Sequence, residues 1–475
     1  MLVTARGTSR PARPGGVGRL EVGLALAAFA VLCVVVLRVR PFLVEPDDYA
    51  YRASIMAATQ GHFFTLSSAQ AQALATRLGS PGGLNPGGPS PLVQWVQLAS
   101  GRWISEKDPG YPYLAAPFQA LGLIRAVPLF FGALACAGLF AGGRRWLGPY
   151  GGTVAVALYC SSGAALVFAW RDYMPTFTDA SLAAAGTGAL LWALLAVDAP
   201  DRRRTWCGLA GFVALEAATF TRYTDIVILG CAVLAVAAAL IWWRPAVPAG
   251  AWRWWLGSVA VFGAGVAVFD ALIYGGPLRS GYRPGEIQFS LSAVGPNLRY
   301  MPVRLVEAMP MLVLGLLALF VIAASWVRRG HDPGLPGGQA RRDLAVGLGL
   351  GASWAGMWGL YAAYTWTARA GAAGSSLPLI RFYLPAAGAI ALLAAWPVVH
   401  GGHWLAARMR WTGLAVPALA LAVLFGLGIW SFTSMTNWAG PLGRGRIPVS
   451  RVAPAHPGQG PGQPNQGPAQ PNRPG

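Results

Sequence analysis

Long apolar runs recur along the chain, each near the length that crosses a bilayer, with short polar breaks between them. A hydrocarbon core needs about 20 consecutive mostly apolar residues per helix. Stretches of that kind lie at 20–38, 121–141, 150–170, 176–197, 206–221, 224–243, 254–274, 304–327, 344–366, 378–399 and 412–434. The pattern predicts an all-α, polytopic membrane helical bundle of about 11 transmembrane helices. The fifth and sixth stretches nearly abut.

Two regions break the pattern. The first is the segment 39–111, long enough to fold on the membrane surface as a first extracytoplasmic loop bearing short surface helices. A helix is expected from Asp47 to Gly61, with Pro46 ahead of it. Ser67 and Ser68 suit the cap of a second, running to Leu78. Residues 80–91 read as a flexible turn-rich segment, and Trp95, Trp103, Tyr111 and Tyr113 suit a chain at headgroup level. The second region is 441–475, rich in Pro, Gly and Gln, with nothing to bury and so expected to be disordered. Residues 1–440 form the single membrane domain.

Charge refines this reading. The net charge is +19 with only 11% charged residues, yet the arginines are not one basic patch, and nucleic acid is excluded as a partner. They cluster before the first span (Arg6, Arg10, Arg13, Arg19) and then in every second loop: Arg144 and Arg145; Arg202, Arg203 and Arg204; Arg244 and Arg253; Arg328, Arg329, Arg341 and Arg342; Arg408 and Arg410. That alternation puts the N-terminus in the cytoplasm of a cell membrane and the loops 39–111, 171–175, 222–223, 275–303 and 367–377 outside. The first span lacks a small-residue cleavage site after Arg38 and reads as a retained anchor. Cys33, Cys136, Cys160, Cys207 and Cys231 fall in apolar stretches at unrelated spacings, as packing residues with no disulfide or metal framework.

Candidate chemistry gathers at the expected outer ends of the helices. Glu45, Asp47, Asp48, Glu106 and Asp108 put five of the 17 acids in the first loop, beside Lys107, the sole lysine. Arg171, Asp172 and Tyr173 form the next outer loop, Asp179 follows within a span, and Arg222 ends another. An acid near the centre of a membrane helix costs about 2.5–3.5 kcal/mol on insertion scales, which singles out Asp179, Glu216 and Asp270. Carboxylates can take a proton from an acceptor hydroxyl, and fixed cations can stabilise a departing phosphate. No P-loop, no GxGxxG with an acidic partner and no HExxH is present.

This ordered set resembles the C-type glycosyltransferases that use polyprenyl-phosphate sugars, including protein O-mannosyltransferases and aminoarabinose–lipid A transferases. Pro46-Asp47-Asp48-Tyr49-Ala50-Tyr51 is similar to the family's acidic loop opening. Glu106-Lys107 resembles its Glu-Lys-Pro segment, with Asp108 standing where proline is usual. Asp179, Thr221-Arg222 and Arg381-Phe382-Tyr383-Leu384-Pro385 match its later positions.

The resemblance implies an inverting glycosyltransferase that takes a hexosyl or pentosyl unit from a polyprenyl-phosphate donor. The acceptor is a lipid, glycan or protein on the extracytoplasmic face. Asp47, Asp48 and Asp179 are the candidate catalytic carboxylates, with Asp47 as base. Lys107, Arg222, Arg381 and Tyr383 would hold the donor phosphate, supported by Glu106, Asp108 and Tyr51. A divalent metal is left open, because the late-loop histidine of metal-binding members has no counterpart in 275–303. Two other readings stand beside this one. The first is a multi-pass transporter or lipid flippase with Asp179, Glu216 and Asp270 lining a path. The second is a non-catalytic scaffold.

Overall fold

The computed structural model describes residues 18–38, 43, 45–80, 82–85, 88–282, 287–329, 337–372, 377–409 and 424–434. The expected tail, 441–475, and the first part of the stretch 412–434 lie outside these residues.

The chain opens with α1 (Arg19–Arg38) and then enters the first loop, which holds α2 (Pro46–Thr59), α3 (Ser68–Leu78), β1 (Gly83–Asn85), β2 (Gly88–Ser90), β3 (Trp95–Gln97), β4 (Trp103–Ser105) and α4 (Gly110–Ala120). The bundle continues with α5 (Ala126–Leu147), α6 (Gly151–Ser161), α7 (Gly163–Ala169), α8 (Thr176–Leu195), α9 (Asp201–Thr221), α10 (Ile226–Trp242) and α11 (Ala251–Tyr274). Its last part is α12 (Val294–Ala308), α13 (Met311–Arg329), α14 (Gly337–Ala362), α15 (Thr365–Ala372), α16 (Leu377–Ile380), α17 (Ala387–Met409) and α18 (Leu424–Ser434).

This is a multi-pass membrane helical bundle. Among the described residues, seven helices are long and apolar enough to cross a bilayer, and eight if α6 and α7 form one bent span. Helices α9 and α14 also lie at expected stretches, but neither is among the seven. Two expected spans are interrupted. The stretch 150–170 bends by 62° between α6 and α7, where the Ser162 hydroxyl accepts the Ala165 N–H at 3.3 Å. The stretch 304–327 breaks at Met309 and Pro310, because Pro310 has no N–H to continue the ladder of α12.

Small residues bring helices together where lipid supplies no hydrophobic drive between them. A Cβ added at Gly138 on α5 would meet the Ala185 carbonyl of α8 at 2.5 Å, and one at Gly188 would collide with the Gly138 backbone. The two helices therefore touch backbone to backbone.

The first loop has its own small core of Ala53, Ala57, Leu66, Ala71, Leu74, Leu92 and Trp95. Its helix ends follow the sequence. Pro46 starts α2, and the Asp48 carboxylate accepts the Glu45 N–H at 2.9 Å. Ser67 and Gln70 cap α3 reciprocally, at 3.2 and 2.8 Å. The segment 80–91 is not only turn: β1 and β2 pair as a hairpin, Gly83 opposite Ser90. Two of the four loop aromatics, Trp95 and Tyr111, turn inward, while Trp103 and Tyr113 stay partly exposed. Trp95 is buried in the loop core, and the buried Tyr111 ring meets Tyr51 edge-on at 5.9 Å.

The five cysteines are free thiols, and the sulfurs of Cys136 and Cys160 lie 3.5 Å apart across α5 and α6.

Candidate active site

Both ends of the first loop converge on the same end of the bundle. Glu45, Asp47 and Asp48 come from the start of α2, where the amide ends of a helix tolerate acids. Glu106, Lys107 and Asp108 come from the turn between β4 and α4. That turn is anchored by the Glu106 N–H donating to the Gln94 carbonyl at 3.0 Å, with Gln94 itself held at φ 55°. Gly110 then lets α4 press against α9, since a Cβ there would meet the Phe220 carbonyl at 2.5 Å. This contact sets Lys107 and Asp108 beside Thr221 and Arg222. Arg381 arrives from the junction of α16 and α17.

The charges form one connected set. Lys107 Nζ lies 3.1 Å from Asp47, 3.4 Å from Glu106 and 3.2 Å from the Tyr282 hydroxyl. Arg381 bridges Asp47 at 2.6 Å and Glu45 at 2.9 Å. Arg171 pairs with Asp48 at 2.6 Å and Glu45 at 3.4 Å. Arg222 pairs with Asp179 at 2.9 Å, and donates to the Thr176 hydroxyl at 3.2 Å and the Arg381 carbonyl at 2.8 Å. The Phe382 ring faces both guanidiniums, 4.8 Å from Arg381 and 5.7 Å from Arg222. A buried charge is tolerable only when paired, and each of the four cations meets a carboxylate, although Nε and Nη1 of Arg171 and Nε of Arg381 make no hydrogen bond among the described residues.

Electrostatics separate two carboxylates. Burial works against the Asp47 anion, but Lys107 and Arg381 outweigh it and hold its carboxyl well below the usual range. At Asp108 burial wins over the attraction of Arg222 and Lys107, and its carboxyl is pushed up to about 6. Burial also opposes the Lys107 ammonium, yet Asp47, Tyr282 and Glu106 raise its pKa further.

The structure thus gathers Asp47, Asp48, Asp179, Lys107, Arg222, Arg381, Glu106 and Asp108 at one end of the bundle. Asp48 and Asp179 are sealed there, at 1% and 0% exposure, each bound to an arginine. Tyr51 is buried behind them on Tyr111. Tyr383, expected with the phosphate-binding cations, lies apart from the ion pairs. It is fully buried and packs on Tyr361 and Trp354, at 5.8 and 6.4 Å. Glu45, Arg171, Gln94 and Tyr282 join the site without having been assigned a role. The acidic cluster of the first loop pointed toward Glu45 and the run Arg171-Asp172-Tyr173 toward Arg171, while Gln94 and Tyr282 carried no such signal.

Asp179, Glu216 and Asp270 do not face one another as a row. Asp179 pairs with Arg222, Glu216 accepts from the Ser258 hydroxyl at 2.7 Å and Asp270 accepts from the Tyr223 hydroxyl at 3.1 Å. Among the described residues, no group of three His, Cys, Asp or Glu side chains is set to hold a metal ion.

No family model matches the sequence, and neither does any curated protein. Solved structures do match the fold. The apo oligosaccharyltransferase of Archaeoglobus fulgidus superimposes with a TM-score of 0.51 at 12% identity, over 88% of this chain and 56% of that one. The present chain therefore spans little more than half the length of that enzyme. ArnT from Cupriavidus metallidurans, bound to undecaprenyl phosphate, matches with a TM-score of 0.45 at 15% identity, over 88% and 75% of the two chains. Across most of its length, this chain has the fold of a polytopic membrane oligosaccharyltransferase.

Proposed function

We propose that this protein is a glycosyltransferase that moves a sugar from a polyprenyl-phosphate donor to an acceptor at the loop-bearing end of the bundle. The observation that carries this reading is the set Lys107, Arg222 and Arg381, three cations fixed among carboxylates at the end of an apolar bundle. A lipid-linked sugar needs that combination: apolar helices for the prenyl tail, fixed positive charge where phosphate departs, and a carboxylate for the acceptor proton. The shared fold with an oligosaccharyltransferase agrees with it.

In this reading the acceptor oxygen attacks the anomeric carbon opposite the phosphate, and the carbon–oxygen bond to phosphate breaks. The electron pair leaves with the prenyl phosphate, whose growing charge meets the three cations. The anomeric centre inverts, and the acceptor proton passes to a loop carboxylate. Asp48 and Asp179 hold Arg171 and Arg222 in place. The acceptor is a lipid, glycan or protein. The site faces the extracytoplasmic side of the cell membrane, with the N-terminus in the cytoplasm, as the arginine alternation requires.

The test is a proteoliposome assay with a prenyl-phosphate donor radiolabelled in the sugar. Transfer of label to an acceptor, separated from the prenyl chain, supports the reading. Label that crosses the bilayer still joined to its prenyl phosphate overturns it in favour of a flippase.

A further inference from the structure

Five carboxylates line the first loop, and four are already committed. Glu45 meets Arg171 and Arg381, Asp47 meets Lys107 and Arg381, Asp48 meets Arg171, and Glu106 meets Lys107. Asp108 alone of the five makes no ion pair among the described residues. It accepts the backbone N–H of Tyr223 and remains partly exposed, while Glu106, Lys107, Pro109 and Gly110 around it are buried. Asp172 and Asp225 also lack a side-chain partner, but at 2% and 1% exposure they are closed to any substrate.

The position suits an acceptor. Asp108 follows directly on Lys107 and is drawn by both Lys107 and Arg222, so it sits beside the charges that would receive the donor phosphate. Asp179, Asp225 and Asp270 oppose its charge, and the tyrosines Tyr51, Tyr223, Tyr274 and Tyr282 lie close enough to feel it. Asp47 offers the opposite case. One of its oxygens faces the Lys107 ammonium and the other the Arg381 guanidinium, so neither is directed at an incoming hydroxyl.

We propose that Asp108 is the general base of the transfer and that Asp47 is a positioning residue that holds Lys107 and Arg381 for the donor phosphate. The inference rests on the glycosyltransferase reading. In the step, Asp108 takes the acceptor hydroxyl proton as the oxygen bonds to the anomeric carbon. The former bond pair to phosphate leaves with the prenyl phosphate.

The consequence is a pH dependence. A base works only when unprotonated, and the carboxyl of Asp108 is pushed up to about 6 by burial. Transfer therefore rises with pH through about 6 and levels above it, with about a tenfold loss at pH 5. A base with the depressed carboxyl of Asp47 would leave the rate flat over that interval.

The experiment measures sugar transfer from a radiolabelled prenyl-phosphate donor by the full chain in proteoliposomes, between pH 5 and 8. Wild type shows the inflection near 6. Asp108→Asn loses about 10²–10⁴-fold in kcat with little change in the donor KM, and its residual rate has no inflection. Asp47→Asn raises the donor KM and keeps the inflection. A flat wild-type profile overturns the assignment while leaving the glycosyltransferase reading intact. So does an Asp108→Asn protein, folded by size-exclusion profile, with near-normal kcat. Absence of transfer by wild type overturns both.

Discussion

The seam between α5 and α8 and the charged set at the loop-bearing end hold the same bundle by opposite means. At the seam, Gly138 and Gly188 bring two backbones into direct contact, and no side chain intervenes. At the loop-bearing end, Lys107, Arg171 and Arg222 are buried, and Arg381 nearly so, only because Glu45, Asp47, Asp48, Glu106 and Asp179 surround them. The seam gains from dispersion and shape, so it tolerates no added volume. The charged end gives little net stability, since the desolvation of each ion offsets much of its pairing. A costly cluster that the fold does not require is where function is to be sought.

That contrast can be broken by substitution, and the largest effect belongs to the seam. Gly188→Leu drives a side chain into the Gly138 backbone, and the folded protein should vanish from detergent extracts. Full yield with a monodisperse profile would show that the seam does not hold the bundle. Arg222→Ala comes next. It leaves Asp179 buried without its cation, a loss of about 3–5 kcal/mol for a broken buried pair. Yield should fall along with transfer, and Arg222→Lys should recover most of the yield. Equal thermal stability of the two variants would contradict the pairing.

Lys107→Ala is milder for the fold, because Asp47 keeps Arg381. Its effect should fall on the donor, raising KM by roughly 10–100-fold for the loss of a charged hydrogen bond worth about 1.5–3 kcal/mol. An unchanged donor KM would remove Lys107 from the phosphate site. Glu216→Gln should do least, since the amide still accepts from Ser258. A collapse of function there would favour a path through the membrane over a site at its end.

The sequence carried the helices best where local chemistry sets their ends. Pro46 and the pair Ser67 and Gln70 place α2 and α3 by capping alone. The bend at Ser162 and the hairpin of β1 and β2 were not legible, because an apolar run hides a break and a Gly-Pro run looks the same in a turn and in a short ladder. The site was legible as a list of charged residues but not as a network. Arg381 meets Glu45 across 336 positions of chain, and spacing cannot show such a pairing. The same limit hid the role of Asp108: only the structure shows that its four loop companions are already paired.

On the proposed function, the loop-bearing end separates sugar from prenyl phosphate. The most direct measurement follows a donor labelled in both the sugar and the prenyl chain, incubated with the purified chain in lipid nanodiscs and candidate acceptors. One prenyl monophosphate should be released for each sugar transferred, with the anomeric configuration of the product opposite to that of the donor. A donor that stays intact, or a product that retains the donor's configuration, would contradict it.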